Sequence, residues 1–196
     1  TTVKANQTAG FSIVTASPGN NAVSMGHGLG KAPSVIFSKS TTVTYDWNVF
    51  SAALGGDEIM RLNTTAAKQT VSGYWSNVGA STFSVASGNN ANNSGDMVYY
   101  CFAPVAGTYE GNSSADGPVI WTGFQPALVI VKNVDTTANN PWFMMDQERG
   151  DFNGQYSNYL MSNEAYQENY YGGSLGQGTI IDILSNGFKL RGNGTT

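Results

Sequence analysis

Nucleophilic catalysis needs a serine or cysteine with a base in reach, and this sequence holds one histidine, His27, and one cysteine, Cys101. His27 stands in the glycine-rich stretch "MGHGLG" (25–30), where a turn side chain that caps backbone groups is expected rather than a general base. Cys101 lies between Tyr100 and Phe102, the setting of a buried, inert thiol. Glycoside hydrolysis asks instead for two carboxylates facing each other across a sugar, about 5 to 9.5 Å apart. The acids that could supply them are Asp146, Glu148 and Asp151, with Glu164, Glu168 and Asp182 further on. For metals, "DFNG" (151–154) and "NNANNSGD" (89–96) offer oxygen ligands of the kind calcium takes. Neither has EF-hand spacing, and Asx turns account for both strings. "GHGLGK" (26–31) lacks the Gly-Lys-Ser/Thr ending of a phosphate loop. No catalytic residue, metal or cofactor is expected.

Aromatic side chains offer more. Sugars lay their apolar faces on Trp or Tyr rings while Asn, Asp or Gln address the hydroxyls. The stretch "QYSNYLMSNEAYQENYYGG" (155–173) is crowded with Tyr and Asn. Trp75 in "SGYWSNVG" (72–79) has no evident counterpart in the related second half described below, which favours a surface position. Trp75, Tyr166, Asn169, Tyr170 and Tyr171 are therefore the candidate ligand-binding residues, set against packing in a core or subunit interface, which takes precedence for the Tyr-rich stretch.

The elements that would carry these residues follow from composition and pattern. Only 11% of the 196 residues are charged, against about 25% in an average domain. Asn, Ser, Thr and 24 glycines make up the polar surface, as in all-β proteins with many turns. A net charge of -4 without a basic cluster argues against nucleic acid. No apolar stretch approaches the roughly 18 residues of a membrane-spanning helix. The single cysteine excludes a disulfide framework or Cys-rich zinc site and fits assembly in a reducing cytoplasm.

Strand signals recur between Gly, Asn and Pro clusters: 11–16, 33–39, 45–50, 58–62, 81–86 and 97–103, then 119–122, 127–133, 142–145, 180–184 and 187–191. The alternation in 45–49 predicts Tyr45, Trp47 and Val49 on one buried face. "VIF" (35–37) and "LVIV" (128–131) read as strands covered on both faces. Only 64–69 and 163–168 have the makings of a helical turn.

The two series repeat each other. "APSVIFSK" (32–39) leads to "YDWNVFSAALGG" (45–56), and "QPALVIVK" (125–132) leads to "NPWFMMDQERGD" (140–151). "RLNTTAAKQ" (61–69) is echoed by "LMSNEAYQE" (160–168), and "TFSVASGNN" (82–90) by "GFKLRGNGT" (187–195). At the positions of Asp146, Glu148 and Asp151 the first copy has Ser51, Ala53 and Gly56. The expected fold is all-β: a tandem duplicated antiparallel β-sandwich of jelly-roll or lectin-like type, with units at 1–107 and 108–196. The first copy continues into the strand "SGDMVYYCFAPVA" (94–106), for which the second has no counterpart; its completion by further chain or another subunit is expected.

Whole motifs resemble a β-sandwich module that recurs in bacteriophage virion proteins: "TAGFSIVTAS" (8–17), "GHGLGKAPSVIFSK" (26–39), "LNTTAA" (62–67), "SGDMVYYCFAPVAG" (94–107), "GNSSADGPVIWTGFQPALVIVK" (111–132) and "DILSNGFKLR" (182–191). The resemblance implies a tail-fibre-like or spike-like host-attachment component at the virion surface, assembled in the host cytoplasm. Its implied partners are other virion proteins and copies of itself, with a trimer as the fibre-type assembly; the aromatic residues above add a host-surface glycan as the expected ligand. A capsid decoration protein is the alternative, and a polysaccharide depolymerase the third.

Overall fold

The computed structural model describes residues 1–103, 109–112, 114–135, 140–149, 158–168 and 180–191. Among these the chain is all β, without helix. In order the strands are β1 (Thr2–Asn6), β2 (Phe11–Ala16), β3 (Val23–Gly26), β4 (Val35–Ser40), β5 (Asn48–Ser51), β6 (Glu58–Arg61), β7 (Gln69–Thr70), β8 (Trp75–Ser76), β9 (Thr82–Val85) and β10 (Met97–Phe102). Then follow β11 (Val119–Trp121), β12 (Leu128–Val131), β13 (Phe143–Asp146), β14 (Leu160–Met161), β15 (Ile181–Leu184) and β16 (Gly187–Leu190). All pairings between them are antiparallel. The chain divides into two compact units: residues 1–62 with 68–108, and residues 109–196 with the short segment 63–67.

In the first unit a sheet of order β1-β2-β10-β4-β5-β6-β7 faces one of order β3-β9-β8. Period-two alternation turns Val14, Ile36, Phe50, Met97, Tyr99 and Cys101 inward from the large sheet, against Met25, Trp75, Phe83 and Val85 from the small one. Phe83 meets Tyr99 edge-on at 5.2 Å between ring centroids, bridging the two layers. The outer face of the large sheet carries a row of half-buried rings, Phe11, Tyr100, Phe102, Phe37 and Trp47, in mutual contact at 4.9 to 6.5 Å.

The second unit repeats this pairing in reduced form, with sheets β12-β13-β14 and β11-β16-β15. Val129, Val131, Phe143, Met145 and Met161 face Ile181, Ile183 and Leu190. Register fixes the correspondence: β4-β5-β6 matches β12-β13-β14, and β3-β9-β8 matches β11-β16-β15. The repeated lysines have a common task. Lys39 Nζ donates to the Tyr45 carbonyl, and Lys132 Nζ to the carbonyls of Asn140 at 2.7 Å and Thr65 at 3.1 Å. Each ties down the loop that follows its strand. Half-burial of Lys132 lowers its pKa from the ordinary value, because the charged form loses hydration.

Several expectations are corrected. Strand β5 begins only at Asn48, and Tyr45 is exposed while Val49 is buried. Asn48 is buried because its amide is used: Nδ2 donates to the Asp46 carbonyl at 3.2 Å, and Oδ1 accepts from Tyr74 Oη at 3.0 Å. With Lys39 holding the Tyr45 carbonyl, 45–47 is a loop despite its alternation. Neither 64–69 nor 163–168 is helical; the first ends in β7. On β12 only Val129 and Val131 are buried, and Leu128 is 51% exposed.

Candidate functional site

Trp75 is not at the surface. It is 1% exposed and lies 5.8 Å from Phe50, 6.0 Å from Tyr74 and 6.2 Å from Phe83, centroid to centroid. It also has a counterpart. Trp75 pairs with Val85 as Ile181 pairs with Leu190, so the same core position is aromatic in one unit and aliphatic in the other. That exchange hid the correspondence in the sequence. Tyr166 is 42% exposed. Asn169, Tyr170 and Tyr171 lie outside the described residues. Within the same Tyr-rich stretch Tyr159 is core, edge-on to Phe143 at 5.3 Å.

The exposed tryptophan is Trp121, 71% accessible, on edge strand β11. Ile120 points into the core, so alternation turns Val119 and Trp121 outward. Directly across, Lys189 stands opposite Val119 and Gly187 opposite Trp121. On the next strand Asp182 is across from Lys189, and Leu184 from Gly187. The outer face of this sheet thus presents Val119, Trp121 and Leu184 beside Lys189 and Asp182. Its charges are paired. Lys189 holds Asp116, whose carboxyl it keeps below the ordinary carboxylate range, and Arg191 Nε lies 3.3 Å from Asp182. Exposed Phe124 follows in the turn, whose carbonyl accepts from Thr122 Oγ1 at 2.5 Å. In the first unit the matching face is Ser24, Gly26, Ser76, Thr82 and Ser84. Trp121 stands where that unit has Gly26.

Gly187 is what lets Trp121 lie against its neighbour strand. A Cβ there would run into the Ile120 carbonyl and come within 3.2 Å of Trp121 Cα. Gly187→Ala is expected to destabilise by about 1–3 kcal/mol through this overpacking. A melting temperature for that variant equal to the parent's would contradict the close approach.

The groups that could do nucleophilic chemistry are otherwise engaged. His27 is fully buried; its Nδ1 accepts from the Leu29 N–H at 3.2 Å and its Nε2 lies 3.0 Å from the Gly79 carbonyl. The ring caps the turn, which Gly28 and Gly30 allow by adopting φ of 70°. Burial pushes the Cys101 thiol up to about 12, far from the thiolate a nucleophile needs. Among the acids, Asp146 accepts from Arg149 Nε at 2.6 Å, and the same guanidinium lies 3.8 Å from Glu168. Glu164 accepts from Asn163 Nδ2 at 3.1 Å. Asp151 lies outside the described residues.

The 89–96 string is part of the core wall. Asn89 and Asn93 accept from the N–H groups of Ala91 and Gly95 at 3.0 and 2.8 Å, closing Asx turns. Buried Asn92 donates to the carbonyls of Asn21, Val85 and Ala86. Tyr74 and Tyr99 reach Ala91 from the other side: Tyr74 Oη accepts from its N–H at 3.2 Å, and Tyr99 Oη donates to its carbonyl at 2.8 Å. No group of three or more His, Cys, Asp or Glu that could hold a metal occurs among the described residues.

The site that remains is an aromatic platform on a rigid sheet, flanked by paired charges. It has the surface for stacking and hydrogen bonding, and its described residues include no aligned acid, base and nucleophile. No curated protein and no solved structure matches the chain. One family does, along residues 1–196: the chain belongs to the domain of unknown function DUF7483.

Proposed function

We propose that this chain is a non-catalytic surface module of a bacteriophage particle, of tail-fibre or spike type, that engages a host-surface glycan through the Trp121 face. The virion location rests on the motifs given above. The binding role rests on one observation: a 71% exposed tryptophan on a sheet face where the related unit carries glycine. An exposed indole leaves apolar area in water with no folding benefit, which a ligand's sugar ring recovers by stacking. Asp182, Lys189 and Asp116 beside it, held in place by their ion pairs, offer polar atoms to hydroxyl groups. Many copies per particle, attached through other virion proteins and to one another, make weak single sites sufficient.

A second reading has its own observation. Val119, Trp121, Phe124 and Leu128 are all exposed within one short stretch, and an assembly or capsid decoration protein would bury them against a neighbour. Gold-tagged antibody against this chain, applied to purified virions, separates the two. Label at the tail tip or fibres supports host recognition, and label spread over the head makes it a decoration protein. Unlabelled particles would sink the virion assignment altogether.

A further inference from the structure

The two units differ at one sheet edge. In the first unit β4 is flanked on both sides: β5 on one, β10 on the other. Antiparallel ladders alternate, so successive residues address opposite neighbours. The Ala52 N–H donates to the Ser34 carbonyl, which assigns that carbonyl, Ile36 and Ser38 to β5. Val35, Phe37 and Lys39 then address β10, in register with Phe102, Tyr100 and Val98. In the second unit the Gln147 N–H donates to the Ala127 carbonyl, so Val129 and Val131 address β13. Leu128 and Ile130, the counterparts of Val35 and Phe37, turn their N–H and C=O groups to the other side. Among the described residues no strand lies there.

This edge also lacks the usual protection. Exposed strand edges are blunted by charge, proline, bulges or shortness. Edge strand β1 carries Lys4 at its centre, and edge strand β7 is two polar residues. Strand β12 reads Leu128-Val129-Ile130-Val131, with none of these devices. Leu128 is 51% exposed, while its counterpart Val35, flanked by Phe102, is half-buried.

We infer that β12 is a strand-acceptor edge, built to take an extended segment of a partner protein by β-augmentation. The first unit specifies the chemistry of the occupant. It runs antiparallel to β12 and carries apolar residues at alternate positions, as β10 turns Met97, Tyr99 and Cys101 into its core. Those inward residues would extend the core formed by Val129, Val131 and Met145. The site is separate from the Trp121 face and stands whether or not that face binds a glycan.

The probe is a peptide of the Ser94–Ala103 sequence with Cys101→Ser, added to the full chain. Hydrogen exchange is followed at the Leu128 and Ile130 amides, and stoichiometry by sedimentation. One peptide per monomer is expected, with exchange at both amides slowed at least about tenfold. Ile130→Pro removes an N–H that faces the partner and not β13, so the variant is expected to fold and to bind at least about tenfold more weakly. If that variant fails to fold, the exchange measurement on the unaltered chain decides alone. A monomeric chain whose two amides exchange equally fast with and without peptide would overturn the inference. So would a chain that self-associates and protects those amides without peptide, since the edge would then belong to a second copy.

Discussion

Replacing Trp75 with alanine is expected to cost about 3–5 kcal/mol, the range for emptying a large aromatic site in a core. That is a large part of the roughly 5–15 kcal/mol that holds a domain folded. The side chain fills the space between Phe50, Tyr74 and Phe83, and these rings come from β5, the loop before β8, and β9. Trp75→Phe keeps most of the volume and removes an indole N–H that has no hydrogen-bond partner, so it is expected to cost much less. Trp121→Ala, at 71% exposure, is expected to change stability by no more than about 0.5 kcal/mol. Urea unfolding monitored by circular dichroism checks all three. Equal losses for Trp75→Ala and Trp121→Ala would contradict the burial pattern.

The second large effect is alkaline. Burial is the leading cause that raises Cys101 from 9.0 to about 12 and Tyr74 from 10.0 to about 12, and it raises Tyr99 as well. In the unfolded chain the thiol loses its proton near pH 9.0, while the folded chain holds it to about 12. Between those values the folded state binds more protons, so stability falls as pH rises through the window; it is fully present below pH 9.0. At about 1.4 kcal/mol per pH unit, Cys101 alone removes on the order of 4 kcal/mol by pH 12. The tyrosines add to this above their ordinary pKa of 10.0. Urea unfolding at pH 8 to 12 is expected to show a steep decline that Cys101→Ala makes shallower. A stability constant to pH 12 would contradict the buried, protonated state of all three.

Much of the fold was legible because buried strands need alternating or continuous apolar side chains, and the sequence shows both. Strand β2 has the predicted bounds, and β4, β9, β10, β12, β15 and β16 lie within a residue or two of theirs. What escaped notice was short or polar: β1, β3, β7, β8 and β14. In "VSMG", the residues of β3, only Met25 is buried, too little pattern to read. That omission mattered for the site. Without β3 there was no Gly26 to set against Trp121, and the contrast between the two outer faces could not be drawn. Trp75 was misplaced for the complementary reason: its two-residue strand has no period, and Ile181 does not look like its equivalent until register is known. His27, by contrast, could be assigned from its neighbours. Glycines on both sides of a lone imidazole indicate a turn; Nδ1 serves that turn, and Nε2 reaches the Gly79 carbonyl ahead of β9.

The claim that the Trp121 face binds the host is tested most directly by adsorption of the purified chain to host cells and to their extracted surface polysaccharide, compared with Trp121→Ala. Saturable binding is expected, falling at least about tenfold in the variant because a stacking ring is lost, with unfolding unchanged. Undiminished binding by Trp121→Ala, or no binding by the parent chain to either target, would contradict it.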